Sequence, residues 1–189
     1  MEKANILNIL RSKNTVFSFK EILLASQDKN PNLLIRRLNY YVKKGELYSI
    51  RKGLYAKDKD YDKYEVATKI YTPAYVSFET VLGKAGVTFQ YYGQIFIASY
   101  LTREITTDRQ TYSFRKIKDY VLTDNAGIKQ KDNYSIAIPE RAFLDVIYLK
   151  KDYHFDNLSV LDWDKVFEIL PIYTNKRMER EVKAYQKIL

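Results

Sequence analysis

Asn32, Arg36, Asn39 and Lys43 recur every three to four residues, a spacing that lines side chains along one helix face. Asn and Arg are the side chains that make paired hydrogen bonds to adenine and guanine edges in a major groove. Arg37, Tyr40 and Lys44 flank the stripe, and a second pair of cations, Arg51 and Lys52, stands just before Gly53 in a turn-like segment. The chemistry on offer is recognition of duplex DNA. Asn32, Arg36 and Asn39, with Tyr40 beside them, face base edges. Arg37, Lys43 and Lys44 neutralise phosphates, and Arg51 and Lys52 reach the minor groove or the adjacent backbone. The plainer reading is a solvated polar face, such as any exposed helix carries.

Other reactive types are sparse. Glu79, Asp119, Asp124, Glu140 and Asp145 are the acids that could hold Mg²⁺ for a nuclease. They form no short acid-x-acid-x-Lys cluster, and Glu140 and Asp145 are poorly spaced on a helix to share an ion. His154 is the only histidine and there are no cysteines, so thiolate metal sites, disulfides and two-histidine mechanisms are excluded. Ser77 lacks a G-x-S-x-G elbow and reads as a helix cap. Gly83 and Gly86 form no phosphate loop, because no G-K-[ST] follows. No catalytic residue, metal ligand or cofactor is assigned, and the expectation is a protein that is not an enzyme.

The elements that would position the basic stripe follow from local signals. Asn30 and Pro31 open a helix and Gly45 closes it, with Leu34, Leu38, Tyr41 and Val42 on its apolar face. Leu47 to Ile50 and Leu54 to Ala56 read as two strands around the Arg51-Lys52-Gly53 turn. Upstream, residues 3–11 read as a short amphipathic helix, and 14–17 as a connection. Ser18 and Glu21 then form a capping box for a helix from Phe19 to Gln27. Helix, helix, turn, helix, hairpin is the order of a winged helix-turn-helix.

Residues 58–63 (DKDYDK) mark a linker. Beyond it, the pattern predicts helices over 64–71 and 78–85, strands over 93–100, 111–117, 120–123 and 134–138, and a polar stretch over 103–110. A nearly all-apolar helix opens at Pro139, with Glu140 at its start and Lys150 and Lys151 at its end suiting the helix dipole. Asp162 caps a helix over 163–170. Asn175 opens a last one with the stripe Met178, Val182, Tyr185 and Leu189. The fold class is α+β: a winged helix-turn-helix over 1–57, then a mixed α+β domain over 64–189.

Charge agrees with that division. Residues 1–57 hold 12 Lys/Arg against 4 Asp/Glu, whereas 58–189 hold 20 against 19. A basic unit joined to a near-neutral body points to nucleic acid as the partner. The 18 tyrosines reflect β-propensity more than base stacking. No apolar run approaches a membrane span and no signal-peptide pattern is present, so no membrane partner and a cytoplasmic location are expected.

Two stretches, YVSFETVLGKAGV (75–87) and IPERAFLDVIYL (138–149), resemble segments of the AbiEi-type antitoxins of abortive-infection, type IV toxin–antitoxin systems. Together with the RKGLYA ending of the basic N-terminal segment, the resemblance covers most of the chain. It implies a phage-defence antitoxin and transcriptional regulator that represses its own operon by binding repeats in double-stranded promoter DNA, with a dimer on DNA left open. It further implies that the C-terminal domain counters a co-encoded toxin of nucleotidyltransferase fold, without a stable complex being required. Two other readings stay open: a stand-alone winged-helix regulator whose C-terminal domain senses a ligand, and a metal-dependent nuclease.

Overall fold

The helix that carries the basic stripe is bounded as its ends dictate. In the computed structural model, which describes residues 11–26 and 30–188, Asn30 caps it by accepting hydrogen bonds from the amides of Asn32 and Leu33 at 3.0 and 3.3 Å. Gly45 ends it at φ 73°, a left-handed turn that costs glycine little. This helix, α2 (Pro31–Lys44), follows β1 (Val16–Ser18) and α1 (Phe19–Ser26) and precedes β2 (Tyr48–Arg51) and β3 (Leu54–Ala56). The three strands make an antiparallel sheet in the order β1-β3-β2. Leu34 and Leu38 of α2 join Phe17, Ile22, Leu47 and Tyr55 in one core, with Tyr41 and Val42 packed against it. Truncating Leu34 or Leu38 to alanine would cost about 2–5 kcal/mol at such a site.

Segment 14–17, read as a connection, is in part β1, because Val16 and Ser18 pair with Ala56 and Leu54. The capping box forms: the Ser18 amide donates to Glu21 Oε2 at 2.7 Å and the Glu21 amide to Ser18 Oγ at 3.2 Å. Residues 3–10 of the helix expected over 3–11, the Gln27 end of its successor and Leu189 lie outside the described residues.

The chain divides into two compact units between Ile70 and Tyr71, later than the expected linker at 58–63. The cause is α3 (Lys63–Ile70), which belongs to the first unit. Its fully buried Glu65 accepts from the Thr15 amide at 2.8 Å and the Thr15 hydroxyl at 2.7 Å. Lys69 donates to the Val16 carbonyl at 2.7 Å and to Glu21 at 2.9 Å.

The second unit is built on a six-stranded mixed sheet, ordered β6-β7-β5-β4-β9-β8. Its strands are β4 (Ala74–Val76), β5 (Gln94–Ser99), β6 (Arg103–Thr107), β7 (Gln110–Lys116), β8 (Ile128–Gln130) and β9 (Ser135–Ala137). β5 and β4 are central, and β5 is buried from Ile95 to Ser99, as an unbroken apolar run requires. Its helices are α4 (Glu79–Ala85), α5 (Asp119–Leu122), α6 (Pro139–Leu149), α7 (Trp163–Ile169) and α8 (Lys176–Gln186), with a 3₁₀ turn at Leu170–Tyr173. α6 is buried continuously from Glu140 to Ile147 and packs on α4, α7, α8 and β9.

The architecture is therefore mixed α+β, with eight α-helices and two sheets among the described residues. Three expectations are corrected. Residues 120–123 are not a strand, because their amides bond locally as one helical turn: Val121 and Leu122 donate to the Lys118 carbonyl at 3.0 and 2.9 Å, and Thr123 to that of Asp119 at 2.9 Å. The polar stretch 103–110 contains the edge strand β6, which pairs only with β7 and so presents Thr and charged side chains. Ser77 is not a helix cap, since α4 starts behind Phe78 with no side-chain cap and the Ser77 hydroxyl goes elsewhere. No described helix is long and apolar enough to cross a membrane.

Candidate functional site

On α2 the buried and exposed faces separate cleanly. Leu34 and Leu38 are buried, while Asn32, Arg36, Asn39, Tyr40, Lys43 and Lys44 are exposed and Arg37 is half-buried. The stripe of Asn32, Arg36, Asn39 and Lys43 thus stands on the solvent side of a helix whose other side is fixed in a core. Tyr40 is held by contacts of its own: its ring meets Tyr41 edge-on at 5.8 Å, and the Lys44 ammonium lies 5.7 Å from its centre. Among the described residues no hydrogen bond or ion pair occupies the side chains of Asn32, Arg36, Asn39 or Lys43, which leaves their donors to solvent.

The hairpin turn is less symmetrical than the sequence implies. Lys52 is exposed, and Gly53 takes φ 79° as the turn demands. Arg51 instead ends β2 half-buried, and its Nη1 is shielded without a hydrogen-bond partner. A β-bulge between Ser49 and Arg51 turns this end of the strand. Lys52 is therefore the fully solvated cation at the tip.

In the second unit the two sequence segments 75–87 and 138–149 interlock through buried charge. Asp145, fully buried, accepts from Ser77 Oγ at 2.6 Å, from Tyr173 Oη at 2.7 Å and from Tyr75 Oη at 3.2 Å. Arg141, one turn earlier and also fully buried, lies with Nε 3.4 Å from Asp145. Its remaining nitrogens donate to the Ala126 and Val121 carbonyls and to Tyr75 Oη, at 2.8, 2.7 and 3.0 Å. Burial pushes the Asp145 carboxyl up, against the pull of Arg141 and the three hydroxyls. Burial and the Asp145 charge push both phenols well up, so Tyr75 and Tyr173 stay protonated and donate. Burial opposes the Arg141 charge, but the Asp145 charge and the hydrogen bond to Tyr75 Oη overcome it and hold it firmly cationic.

Glu79 forms a second joint. Its buried carboxylate bridges Arg115 at 2.6 Å and Lys150 at 2.8 Å. Burial alone would raise its pKa, yet the two cations outweigh burial and hold it below the ordinary glutamate value. The Arg115 guanidinium in turn lies 4.9 Å from the Phe78 ring centre and 4.1 Å from that of Phe96. Lys150, expected to serve the helix dipole, spends its ammonium on Glu79.

These joints say what the acids do. Glu140 accepts from the Asp162 amide at 3.1 Å, and Asp124 from the Ala126 amide at 2.8 Å. Among the described residues no three His, Cys, Asp or Glu side chains converge as metal ligands. His154 is exposed, 3.7 Å from Asp156. Sequence reasoning set Asp145 aside as poorly spaced to share an ion, and did not single out Tyr75 or Tyr173. Tyr75 lies on β4, two residues before Ser77, which directly follows that strand, and this extended spacing was the available signal, since alternate residues of extended chain share a face. No family model matches the chain, and no curated protein gives a significant match to it.

Proposed function

We propose that the first unit is a winged helix-turn-helix that lays α2 in the major groove of double-stranded DNA, and that the protein is an AbiEi-type antitoxin. In this reading it binds repeats in its own promoter and represses by covering DNA that polymerase needs. The second unit counters a nucleotidyltransferase-fold toxin without forming an obligatory complex with it. The observation that carries the DNA part is the solvent-exposed stripe Asn32, Arg36, Asn39 and Lys43 on a helix anchored by buried Leu34 and Leu38. Amides and a guanidinium supply base-edge hydrogen bonds, and Lys43, Lys44 and Lys52 supply phosphate contacts. The antitoxin part is supported by the segments 75–87 and 138–149, whose shared residues Tyr75, Ser77, Glu79, Arg141 and Asp145 serve the buried joints of one unit.

A gel-shift series with DNA from upstream of the gene tests this. Arg36→Ala is expected to cost about 1–3 kcal/mol on the specific site and much less on random DNA. Equal losses on both would make Arg36 a phosphate contact and remove it from base reading. With about five phosphates contacted, affinity is expected to fall several hundredfold between about 50 and 200 mM salt. A flat salt response would sink the electrostatic part. The antitoxin part has its own test: co-expression with the product of the adjacent gene, where loss of toxicity requires residues 71–189.

A further inference from the structure

The second unit contains an open cleft of about 700 Å³, walled by the end of β7, by α5 and by the start of α8. That size falls within the range of small-molecule sites, roughly 300–1,000 Å³. Four of its residues are cations, Lys116, Lys118, Lys176 and Arg177, and no carboxylate lines it. Arg177 is already engaged, with Glu181 at 2.9 Å and with the carbonyls of Ile147 and Tyr148 at 2.9 and 3.2 Å. The three lysines differ. Each is exposed, and none has a carboxylate within ion-pair distance among the described residues. Three uncompensated ammonium groups around one concavity repel one another, and an anion relieves that repulsion.

The rest of the wall narrows the kind of anion. Tyr120 is about half exposed and its ring lies 5.8 Å from the Lys118 ammonium. The Thr174 hydroxyl donates to Tyr120 Oη at 3.2 Å, and Tyr120 Oη reaches the Tyr173 carbonyl at 3.4 Å, so the ring is held in place. A fixed, solvent-facing ring beside exposed ammonium groups suits a ligand that is flat at one end and polyanionic at the other. A bare phosphate would leave both the ring and most of the volume unused.

We propose that this cleft binds a free nucleoside polyphosphate, with Lys116, Lys118 and Lys176 on the phosphates and Tyr120 under the base. The site lies in the second unit, whereas α2 belongs to the first, and the proposal does not depend on the DNA reading. Titration of the full-length protein with ATP and GTP, with and without Mg²⁺, followed by calorimetry, tests it. At least one of the two is expected to bind saturably below about 1 mM. Adenosine and guanosine are expected to bind at least about tenfold more weakly, and tripolyphosphate likewise. The double substitution Lys118→Ala/Lys176→Ala is expected to weaken binding by about tenfold or more, Tyr120→Ala by several-fold, and Tyr120→Phe by less than Tyr120→Ala, since the ring stays and only its two tethers are lost. All three positions are solvent-exposed, and far-UV circular dichroism checks that the variants stay folded. Arg36→Ala leaves nucleotide binding unchanged if the site is where we place it.

Absence of saturable binding by either nucleotide overturns the proposal. So does binding that survives the double lysine substitution, or that falls with Arg36→Ala. Tripolyphosphate binding as tightly as ATP, with no effect of Tyr120→Ala, removes the base from the site. Single-stranded DNA that competes through Lys118 and Lys176 far better than mononucleotides assigns the cleft to a nucleic-acid strand instead.

Discussion

Asp145 is a fully buried carboxylate, and its neighbours decide whether that is tolerable. Three hydroxyls and one guanidinium supply what water would have. Asp145→Ala would leave Arg141 buried without its counter-charge, and urea denaturation is expected to show a loss of about 3–5 kcal/mol. The pair Arg141→Met/Asp145→Leu removes both charges, and is expected to recover part of that loss. A double variant as unstable as the two single losses summed would show that the charges do not depend on each other. Glu79 makes a pH-dependent contribution with a defined sign. Its folded pKa lies below the ordinary 4.5, so the native state favours the ionised form. The stability it supplies is fully present above that ordinary value and is lost as pH falls through the lower folded one. Glu79→Gln is therefore expected to destabilise near neutral pH, with the gap from the parent protein narrowing below about pH 4.5. A gap that stays constant down to acid unfolding would mean the Arg115 and Lys150 contacts add nothing specific to the charge. At this scale the sequence was legible where one element carries the pattern. The exposed stripe of α2 and the Asn30 and Gly45 caps follow from spacing within a single helix. Ser77 was misread because its partner lies 68 residues away, and no local rule reaches that far.

Elements in this chain are fixed as much by close approaches as by propensity. Gly127, at φ 71°, sits where an added Cβ would come 2.8 Å from both Arg141 Cβ and Ile169 Cδ1. Its carbonyl accepts from the Ile138 amide at 2.8 Å, just before α6 begins. Gly127→Ala therefore combines backbone strain with a clash against two packed helices, and is expected to cost about 2–4 kcal/mol in thermal or urea denaturation. Gly83→Ala supplies the contrast, because its nearest neighbours would be 4.0 Å away and its φ is ordinary. A mid-helix alanine there is expected to be neutral or mildly stabilising. Similar effects from the two changes would mean that α6 and α7 yield easily around Gly127. Long apolar or well-capped elements such as β5 and α6 were readable from composition and period. β6 was not, since an edge strand keeps its polar residues and only its pairing with β7 marks it. α5 is a single turn, too short for any periodicity to register.

For the whole molecule, the basic excess and the division of the chain have to be considered together. Residues 1–70 carry 15 Lys/Arg against 8 Asp/Glu, so the first unit keeps most of the net +9 even after α3 is added to it. Charge alone cannot place the boundary, because DKDYDK is charged enough to look like a linker wherever its flanking chain packs. What places it is Glu65, a fully buried carboxylate committed to the Thr15 amide and hydroxyl, with Val66 and Ala67 buried beside it. Cutting after Lys57 would leave the Thr15 amide and the Val16 carbonyl without these partners and strip apolar cover from the small sheet. Each buried group left unsatisfied costs about 1–3 kcal/mol. A unit of this size holds only about 5 kcal/mol in all. The fragment 1–70 is therefore expected to melt cooperatively and to shift promoter DNA at low salt, more weakly than the full chain if dimers form on the repeats. The fragment 1–57, which retains every residue assigned to DNA contact, is expected to melt far lower or without a transition, and to lose most of its DNA binding with it. Circular dichroism melts and gel shifts on the two fragments decide the matter. Equal stability and equal binding would show that α3 is an appendage, and that α2 is held in place by the β1-β3-β2 sheet alone.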